Sequence, residues 1–370
     1  MSGERRGVGR VLAGVFTSCL LLGSAGAGGA GLGCSAEASS DAEPDESELT
    51  EEQALLSPAP VQGAVPSGRP AKHAIVLAHG FMGTDSASPS FTNVWAFHRV
   101  ADALRRDGHL VVEGRVQPFN SPEVRAKELV KHVDAALEQC RTTAGCDPRR
   151  VNLVAHSMGG LDCRVLISQL GYGDRVASLT TVSTPHRGSH IADVGLNVLD
   201  ATKSDDALNK LFKAFGMTFT SADLARDSNI RAALTALAES SSESFNARNR
   251  DDARVYYQSW AGVSNVGGVR NWKDYPACGD RLETYRYRRD VMDPLLVPVA
   301  AIVAHGGSLI PNDGMATVDS AKYGNFRGCI PADHFDEVGQ IKDDTYDRRT
   351  GFDHVRFYRN VAFDLARRGY

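Results

Sequence analysis

Short apolar runs alternate with amphipathic stretches from residue 72 onward, and this alternation limits the folds open to the chain. Ala74–Ala78 (AIVLA) and Val151–Ala155 (VNLVA) predict buried strands, whereas Pro122–Gln139 predicts a helix with proline in its first turn. Strands separated by helices are joined as βαβ units, which form parallel sheets. The sequence therefore predicts an α/β fold, with a mostly parallel central sheet and helices on both faces.

The alternation of predicted strands and helices continues to residue 190 and resumes after residue 250. Further strands are predicted at Leu110–Val116, Val176–Val182, Val255–Trp260 and Val297–Val303, and further helices at Val94–Arg106, Met158–Leu170 and 352–368. Residues 190–250 interrupt this alternation of strands and helices, because two sets of apolar residues there fall at helical spacing. These sets are Leu208, Leu211, Phe212 and Phe215, and then Ile230, Ala233, Leu234 and Leu237. We expect a helical insertion after about the fifth strand.

The N-terminal segment differs from the rest of the chain in charge and composition. Three arginines precede an apolar run over 11–22 and a Gly/Ala-rich stretch, so residues 1–34 predict an export signal. The apolar run is too short and contains too much glycine to make a good membrane-spanning helix. An uncleaved membrane anchor is the alternative. Residues 35–68 hold eight acidic side chains and no Lys or Arg. Residues 35–70 therefore predict a disordered acidic tether before a folded domain over 71–370.

The chain has seven cysteines, of which Cys19 would leave with the export signal. Cys34 ends the signal and resembles the lipidated cysteine of a bacterial lipoprotein box, with Gly31 in place of a larger apolar residue; simple cleavage and release is the alternative. In an oxidising compartment, Cys140–Cys146 could close a short loop and Cys278–Cys329 a long one, which leaves Cys163 as a buried thiol. The cysteine and histidine spacing suggests no zinc site.

The charge balance bears on the class of partner. With 41 Lys+Arg against 45 Asp+Glu, the formal net charge is −4. No cluster of basic residues forms a phosphate-binding footprint, so we expect no nucleic-acid partner.

One segment places a serine at a predicted strand-to-helix turn. The strand VNLVA runs directly into His156, Ser157 and Met158, and the predicted helix follows. This order matches the nucleophile elbow G-x-S-x-G, in which small residues let strand and helix approach closely and the serine is strained. Ala155 replaces the first glycine. The pentapeptide alone is a weak signal, and the strand and helix around it supply the context that makes Ser157 a candidate nucleophile.

A glycine-containing loop after the first predicted strand complements this serine. Acyl transfer needs two N–H donors directed at the developing oxyanion. We expect one from Met158, at the start of a helix, and one from Phe81 in the loop LAHGFMG (77–83). Taken alone, His79-Gly80 would be an ordinary turn.

A serine nucleophile also needs a general base and an orienting acid, in the chain order Ser, acid, His. Asp313, in the turn PNDG, is a suitable acid, although the same residues form ordinary turns. His305, His334 and His354 all lie late enough to be the base, and the residue types do not choose among them.

Together, these segments resemble the bacterial true lipases of the Pseudomonas and Burkholderia type, which are α/β-hydrolases. The matching motifs are spread in the family's order over residues 73–345. They are HGFMGTD (79–85), EVRAKEL (123–129), VNLVAHSMGGLDCR (151–164), STPHRGSHIAD (183–193), NDG (312–314) and ADHFDEVGQ (332–340). The resemblance implies an α/β-hydrolase fold with a helical lid in about residues 194–250. In this branch, a glycine is usual where the chain has Ala155.

The resemblance also implies residue roles. It makes Ser157 the nucleophile, Asp313 the acid and His334 the base, with the N–H groups of Phe81 and Met158 as the oxyanion hole. It implies a calcium ion near the catalytic histidine, and oxygen ligands suit this hard cation. The matching ligands are Asp293, Asp336 and the main-chain carbonyls of Gln340 and Asp344. Without the family, Asp336 and Gln340 would indicate a solvated loop. Cys278 and Cys329 lie near the family's disulfide positions, with Cys329 later than usual.

The implied function is hydrolysis of carboxylic esters through an acyl-enzyme, with triacylglycerols at an oil–water interface as the leading substrate. The face of Leu208 and Phe212 would then be part of a lid, or else simple core packing. Many relatives need a folding chaperone. Alternatives on the same fold are a carboxylesterase, thioesterase, polyester depolymerase or acyltransferase, or a non-catalytic lipid-binding surface lipoprotein. We expect an exported protein, secreted or lipid-anchored at the outer cell surface, with membrane contact only through that anchor.

Overall fold

The protein is described by a computed structural model that covers residues 67–81, 96–202, 229–269, 271–278, 289–306, 309–340, 347 and 349–370. Its strands are β1 (Ala74–Ala78), β2 (Val111–Gly114), β3 (Val151–His156), β4 (Val176–Val182), β5 (Tyr256–Gly262), β6 (Ser264–Asn265), β7 (Asp290–Val291) and β8 (Asn325–Ile330). A six-stranded sheet has the order β2-β1-β3-β4-β5-β8, and each neighbouring pair in it is parallel. β6 and β7 form a separate short parallel pair.

Helices cover both faces of the six-stranded sheet. They are α1 (Val100–Arg106), α2 (Pro122–Thr142), α3 (Gly159–Ser168), α4 (His190–Thr202), α5 (Ile230–Leu237), α6 (Glu239–Arg248), α7 (Asp274–Cys278), α8 (Val297–Val303), α9 (Val318–Ala321) and α10 (His354–Arg367). One apolar core joins the sheet to α2 and α3, and another joins it to α1 and α10. This is the predicted α/β-hydrolase arrangement.

The continuous apolar run of β1 follows from this double cover. Successive side chains of a strand point to opposite faces of the sheet. Ile75 and Leu77 belong to the core with α1 and α10, whereas Val76 and Ala78 belong to the core with α2 and α3. A strand buried on both faces needs apolar residues at every position, so it lacks the polar alternation of an exposed strand.

Three predicted elements need correction. Val297–Val303 is helix α8 and not a strand, because Pro298 suits the first turn of a helix and Val299 and Val303 share its buried face. The helix predicted from Val94 begins at Val100, since Phe97 (φ 54°) and Arg99 (φ 58°) have left-handed backbones that a helix excludes. The helical insertion follows the fourth strand, β4, and not the fifth.

Both suggested disulfides are present, and the thiol of Cys163 is free and buried. Cys140 joins Cys146, and Cys278 joins Cys329 across a separation of 51 residues. The expected export signal, Cys34, the tether up to residue 66, the helix with Leu208 and Phe212, and Asp344 lie outside the described residues. Within the described ranges, no helix combines the length and hydropathy that a membrane crossing requires.

Candidate active site

Ser157 occupies the turn between β3 and α3, and its backbone is strained. Its φ of 54° lies in the left-handed region, which is uncommon for a residue other than glycine. Two glycines allow α3 to approach the sheet here. A Cβ on Gly159 would lie 2.4 Å from the carbonyl oxygen of Ala78, and one on Gly160 would lie 2.2 Å from Thr184 Oγ1. Ala155 is fully buried at the remaining small-residue position. The turn has the geometry of a nucleophile elbow.

Hydrogen bonds connect Ser157, His334 and Asp313 in one row. The Oγ of Ser157 lies 2.9 Å from Nε2 of His334, and Nδ1 of His334 lies 2.7 Å from Oδ2 of Asp313. Their positions follow from the fold: Ser157 follows β3, His334 follows β8 and Asp313 precedes α9. The row orients the imidazole with one nitrogen toward the serine and the other toward the carboxylate.

The surroundings of Asp313 keep its carboxyl ionised. Burial alone would raise its pKa, but the positive charge of His334 and hydrogen bonds from His334, Ala316 and Met315 outweigh burial, so the pKa of Asp313 lies below its ordinary value. The N–H groups of Met315 and Ala316 donate to Oδ1 at 2.8 and 2.7 Å. The Asn-Asp-Gly turn therefore fixes the carboxylate that faces His334.

The loop after β1 lies directly against the serine. A Cβ on Gly80 would lie 2.6 Å from Ser157 Cβ, so this close approach requires glycine. The next residue, Phe81, packs edge-on against Phe119, with ring centroids 5.1 Å apart. Met158 follows the serine and precedes α3, where the first N–H groups of the helix have no acceptor within it. Both predicted oxyanion residues therefore flank Ser157.

A second polar network, which no sequence pattern indicated, lies behind the row. His156 Nε2 lies 2.9 Å from Glu337 Oε2, and Ser183 Oγ donates to Glu337 Oε1 at 2.5 Å. The rings of His156 and His334 have centroids 4.5 Å apart. Burial, followed by the charge of Asp313, raises the pKa of Glu337 well above its ordinary value, while burial and the charge of His334 lower that of His156. Both shifts disfavour the charged form of the group, so they oppose a second pair of charges beside Asp313.

The other two candidate histidines lie elsewhere. His354 begins α10, where its Nε2 lies 2.9 Å from the carbonyl oxygen of His98. His305 follows α8, and its Nε2 lies 3.2 Å from Glu239 Oε1. Of these three late histidines, His334 is therefore the one that the fold brings within hydrogen-bonding distance of Ser157.

A cluster of carboxylates lies where β7 meets the segment that carries His334. Asp290, Asp333 and Asp336 each offer an oxygen, and these oxygens all lie within 4.8 Å of one another. Burial, followed by the charge of Asp333, raises the pKa of Asp290. The predicted ligand Asp293 lies beside the cluster: its N–H donates to Asp333 at 2.7 Å, and its own Oδ1 accepts from Leu295 at 2.9 Å. Of the predicted ligands, Asp336 therefore lies in the cluster and Asp293 lies next to it.

The described residues leave little free space above the serine. A cavity of about 20 Å³ is lined by residues that include His79, Phe81, Ser157, His334 and Val338. This volume holds about one water molecule.

A strained serine on an elbow, a histidine and a buried aspartate at the edge of a parallel sheet define a serine hydrolase of the α/β-hydrolase fold. The family model for palmitoyl protein thioesterase matches residues 74–265, just over half of the chain. A Saccharomyces cerevisiae protein named triacylglycerol lipase 2 is 30% identical over 317 residues, which cover 80% of this chain and 82% of the relative. The chain belongs to the α/β-hydrolase family that contains these lipases and thioesterases.

Further relatives agree with this assignment. A triacylglycerol lipase of Burkholderia plantarii is 30% identical over 73% of this chain and 80% of its own. The crystal structure of Staphylococcus hyicus lipase superposes with a TM-score of 0.54 at 18% identity, covering 82% of this chain and 98% of that chain, which shows the fold. The protein is thus an enzyme that hydrolyses carboxylic esters, a lipase or carboxylesterase with a lipid or ester substrate.

Proposed function

We propose that Ser157, His334 and Asp313 hydrolyse lipid esters through an acyl-enzyme. His334 Nε2 takes the proton of Ser157 Oγ as this oxygen attacks the ester carbonyl. Asp313 orients the imidazole and stabilises its protonated form. His334 then donates the proton to the departing alcohol, and water releases the acyl group by the same steps. The hydrogen-bonded row from Ser157 to Asp313 is the observation that carries this proposal.

The oxyanion would be held by the N–H groups of Phe81 and Met158. One such donor typically contributes about 10²–10³ in rate. The support is the contact of Gly80 with Ser157 and the position of Met158 at the start of α3.

The substrate class that we propose is triacylglycerol at an oil–water interface, on a lipase of the Pseudomonas and Burkholderia type. Support comes from the named relatives. Export, an anchor at Cys34 and a folding chaperone stay proposals that rest on the sequence and the resemblance.

A triacylglycerol series tests this proposal, with wild type and Ser157→Ala, each with and without a calcium chelator. We expect wild-type turnover to jump once substrate exceeds its solubility and Ser157→Ala to be inactive. Smooth saturation with a preference for short esters would make the protein a carboxylesterase. Because the family model is that of a thioesterase, a palmitoyl thioester is a necessary arm, and faster thioester cleavage would reassign the substrate.

We also propose a structural calcium ion at Asp290 and Asp336. The donor set fits, because the carboxylates of buried Asp290 and half-buried Asp336 are crowded together, and oxygen ligands suit a hard cation. Asp333 already accepts N–H groups from Phe335 and Asp336 at 2.9 and 3.0 Å and would hold the loop in shape. Beside Asp336, the resemblance implies Asp293 and the main-chain carbonyls of Gln340 and Asp344 as further ligands. The ion would neutralise the cluster and brace the loop of His334.

A further inference from the structure

Two histidines and a glutamate from three helical segments converge away from Ser157. His190 begins α4, Glu239 begins α6 and His305 follows α8. His305 Nε2 lies 3.2 Å from Glu239 Oε1, and His190 Nδ1 lies 3.7 Å from Glu239 Oε2. The two imidazole rings stack with centroids 4.1 Å apart, and one ligand atom from each side chain lies within 4.8 Å of the others.

We propose that His190, Glu239 and His305 form a binding site for a divalent transition-metal ion such as Zn²⁺. Two imidazoles and one carboxylate are a donor set that such ions prefer, and calcium is not expected to select nitrogen. Ligand atoms at zinc bond lengths lie about 3.3 Å apart around a tetrahedral ion, and the two imidazole–carboxylate distances here are 3.2 and 3.7 Å. The side chains are 34%, 33% and 48% exposed, so water can fill the remaining position.

The backbone around the cluster is fixed before any ion binds. The carboxylate of Asp193 on α4 accepts the N–H groups of Glu239 and Ser240, at 2.8 and 3.2 Å, which caps α6. Gly188 has a φ of 80° and approaches so closely that a Cβ there would lie 2.4 Å from the Cα of Glu239. His305 itself has a φ of 52°, a turn that directs the chain out of α8. Preorganised ligands of this kind lose little conformational freedom on binding.

The ion would tie together helices that already share apolar contacts. Ile191 on α4 packs with Val299 and Val303 on α8, beside the three proposed ligands. The cluster shares no residue with the row of Ser157 or with the Asp290 cluster. Its role would be a structural clamp between α8 and the helical insertion, independent of the proposed ester hydrolysis.

Cobalt binding tests the site by a signal that does not depend on activity. The full chain, saturated with calcium, is titrated with Co²⁺ and followed by the visible absorption of the bound ion, with Zn²⁺ competition. We expect one ion per chain and a higher melting temperature with Zn²⁺. His190→Gln, Glu239→Gln and His305→Asn should each weaken binding by about 10–100-fold or more. Asn is chosen at 305 because it tolerates a positive φ.

The matched control is His132→Gln, which removes a partly exposed imidazole on α2 outside the cluster and should leave Co²⁺ binding unchanged. Ser157→Ala should also bind as wild type. Metal-free variants that melt like the metal-free wild type would show that lost binding reflects lost ligands and not unfolding. Failure of the wild type to bind either ion, or stoichiometric binding that survives all three ligand substitutions, would overturn the proposal.

Discussion

The guanidinium of Arg125 donates a hydrogen bond of 2.8 Å to the main-chain carbonyl of His79, at the root of the loop that carries Phe81. It also donates to the carbonyl of Gly80 at 3.2 Å and to Asp162 at 2.9 Å, and this ion pair is fully buried. In a trans peptide, the C=O and N–H groups point in opposite directions. By holding the Gly80 carbonyl, Arg125 orients the N–H of Phe81, and it is therefore a positioning residue for the proposed oxyanion hole.

Substitution of Arg125 should lower both stability and activity. Arg125→Met leaves the buried Asp162 without its cation, which should cost about 3–5 kcal/mol in urea unfolding. Adding Asp162→Leu removes the unpaired charge and should recover most of the stability, but the carbonyls of His79 and Gly80 stay unheld. We therefore expect kcat to remain low in the stable double variant. Full recovery of kcat together with stability would show that Arg125 supports only the fold.

Glu337→Gln should change how stability depends on pH. Burial and the charge of Asp313 raise the pKa of Glu337 in the native chain. Between the pKa of the unfolded chain, about 4.3, and this raised native pKa, the native chain holds a proton that the unfolded chain has released. The free energy of unfolding of the wild type therefore falls as pH rises through this window, by up to about 1.4 kcal/mol per pH unit. Glutamine keeps polar contacts without titrating. Urea unfolding should show the variant gaining stability over wild type as pH rises, and a pH-independent difference would argue against a protonated Glu337.

Calcium should stabilise the wild type but not Asp290→Asn. Calcium at a concentration of about 100 times its dissociation constant adds about 2.7 kcal/mol to the free energy of unfolding, which raises the melting temperature by several degrees. Asp319→Asn is the matched control, because the Asp319 side chain is 75% exposed and outside the cluster. If a calcium chelator leaves the melting temperature of the wild type unchanged, the cluster holds no structural calcium ion.

The three late histidines should differ sharply in their effect on turnover. His334→Gln removes the general base and should lower kcat by at least about 10³-fold. His354→Gln keeps a donor for the carbonyl of His98, and His305→Asn acts at the surface cluster, so both should keep kcat within a few-fold of wild type. Steady-state hydrolysis of a soluble ester checks all three. Loss of turnover in His354→Gln with a native melting temperature would move the base.

The sequence predicted the strand, the serine turn and the helix around Ser157, because their structure depends on residues that are neighbours in the chain. β3, Ser157 and α3 are contiguous, and the small residues required at their junction are visible as letters. Strand β8 was missed because Arg327 and Gly328 interrupt its apolar character, and its burial depends on pairing with the distant β5. The apolar run at Val297–Val303 fits a strand or a helix until its packing against α4 is known.

The missed site residues are separated in the sequence and meet only in the fold. Glu337 contacts His156 and Ser183 across 181 and 154 residues, so no spacing rule connects them. Arg125 gave one usable signal, since it lies on the same helical face as the buried Leu129, where an unpaired charge would be costly. Asp290 and Asp333 likewise come together only where β7 approaches the loop after β8.

Covalent trapping shows whether Ser157 is the nucleophile of the ester hydrolysis. The full chain is treated with a fluorophosphonate, and the adduct is counted by intact mass and located by peptide mapping. We predict one adduct per chain, on Ser157, with loss of ester hydrolysis in proportion to labelling, and much slower labelling in His334→Gln. An adduct on another residue, or ester hydrolysis that persists in Ser157→Ala, would contradict the account.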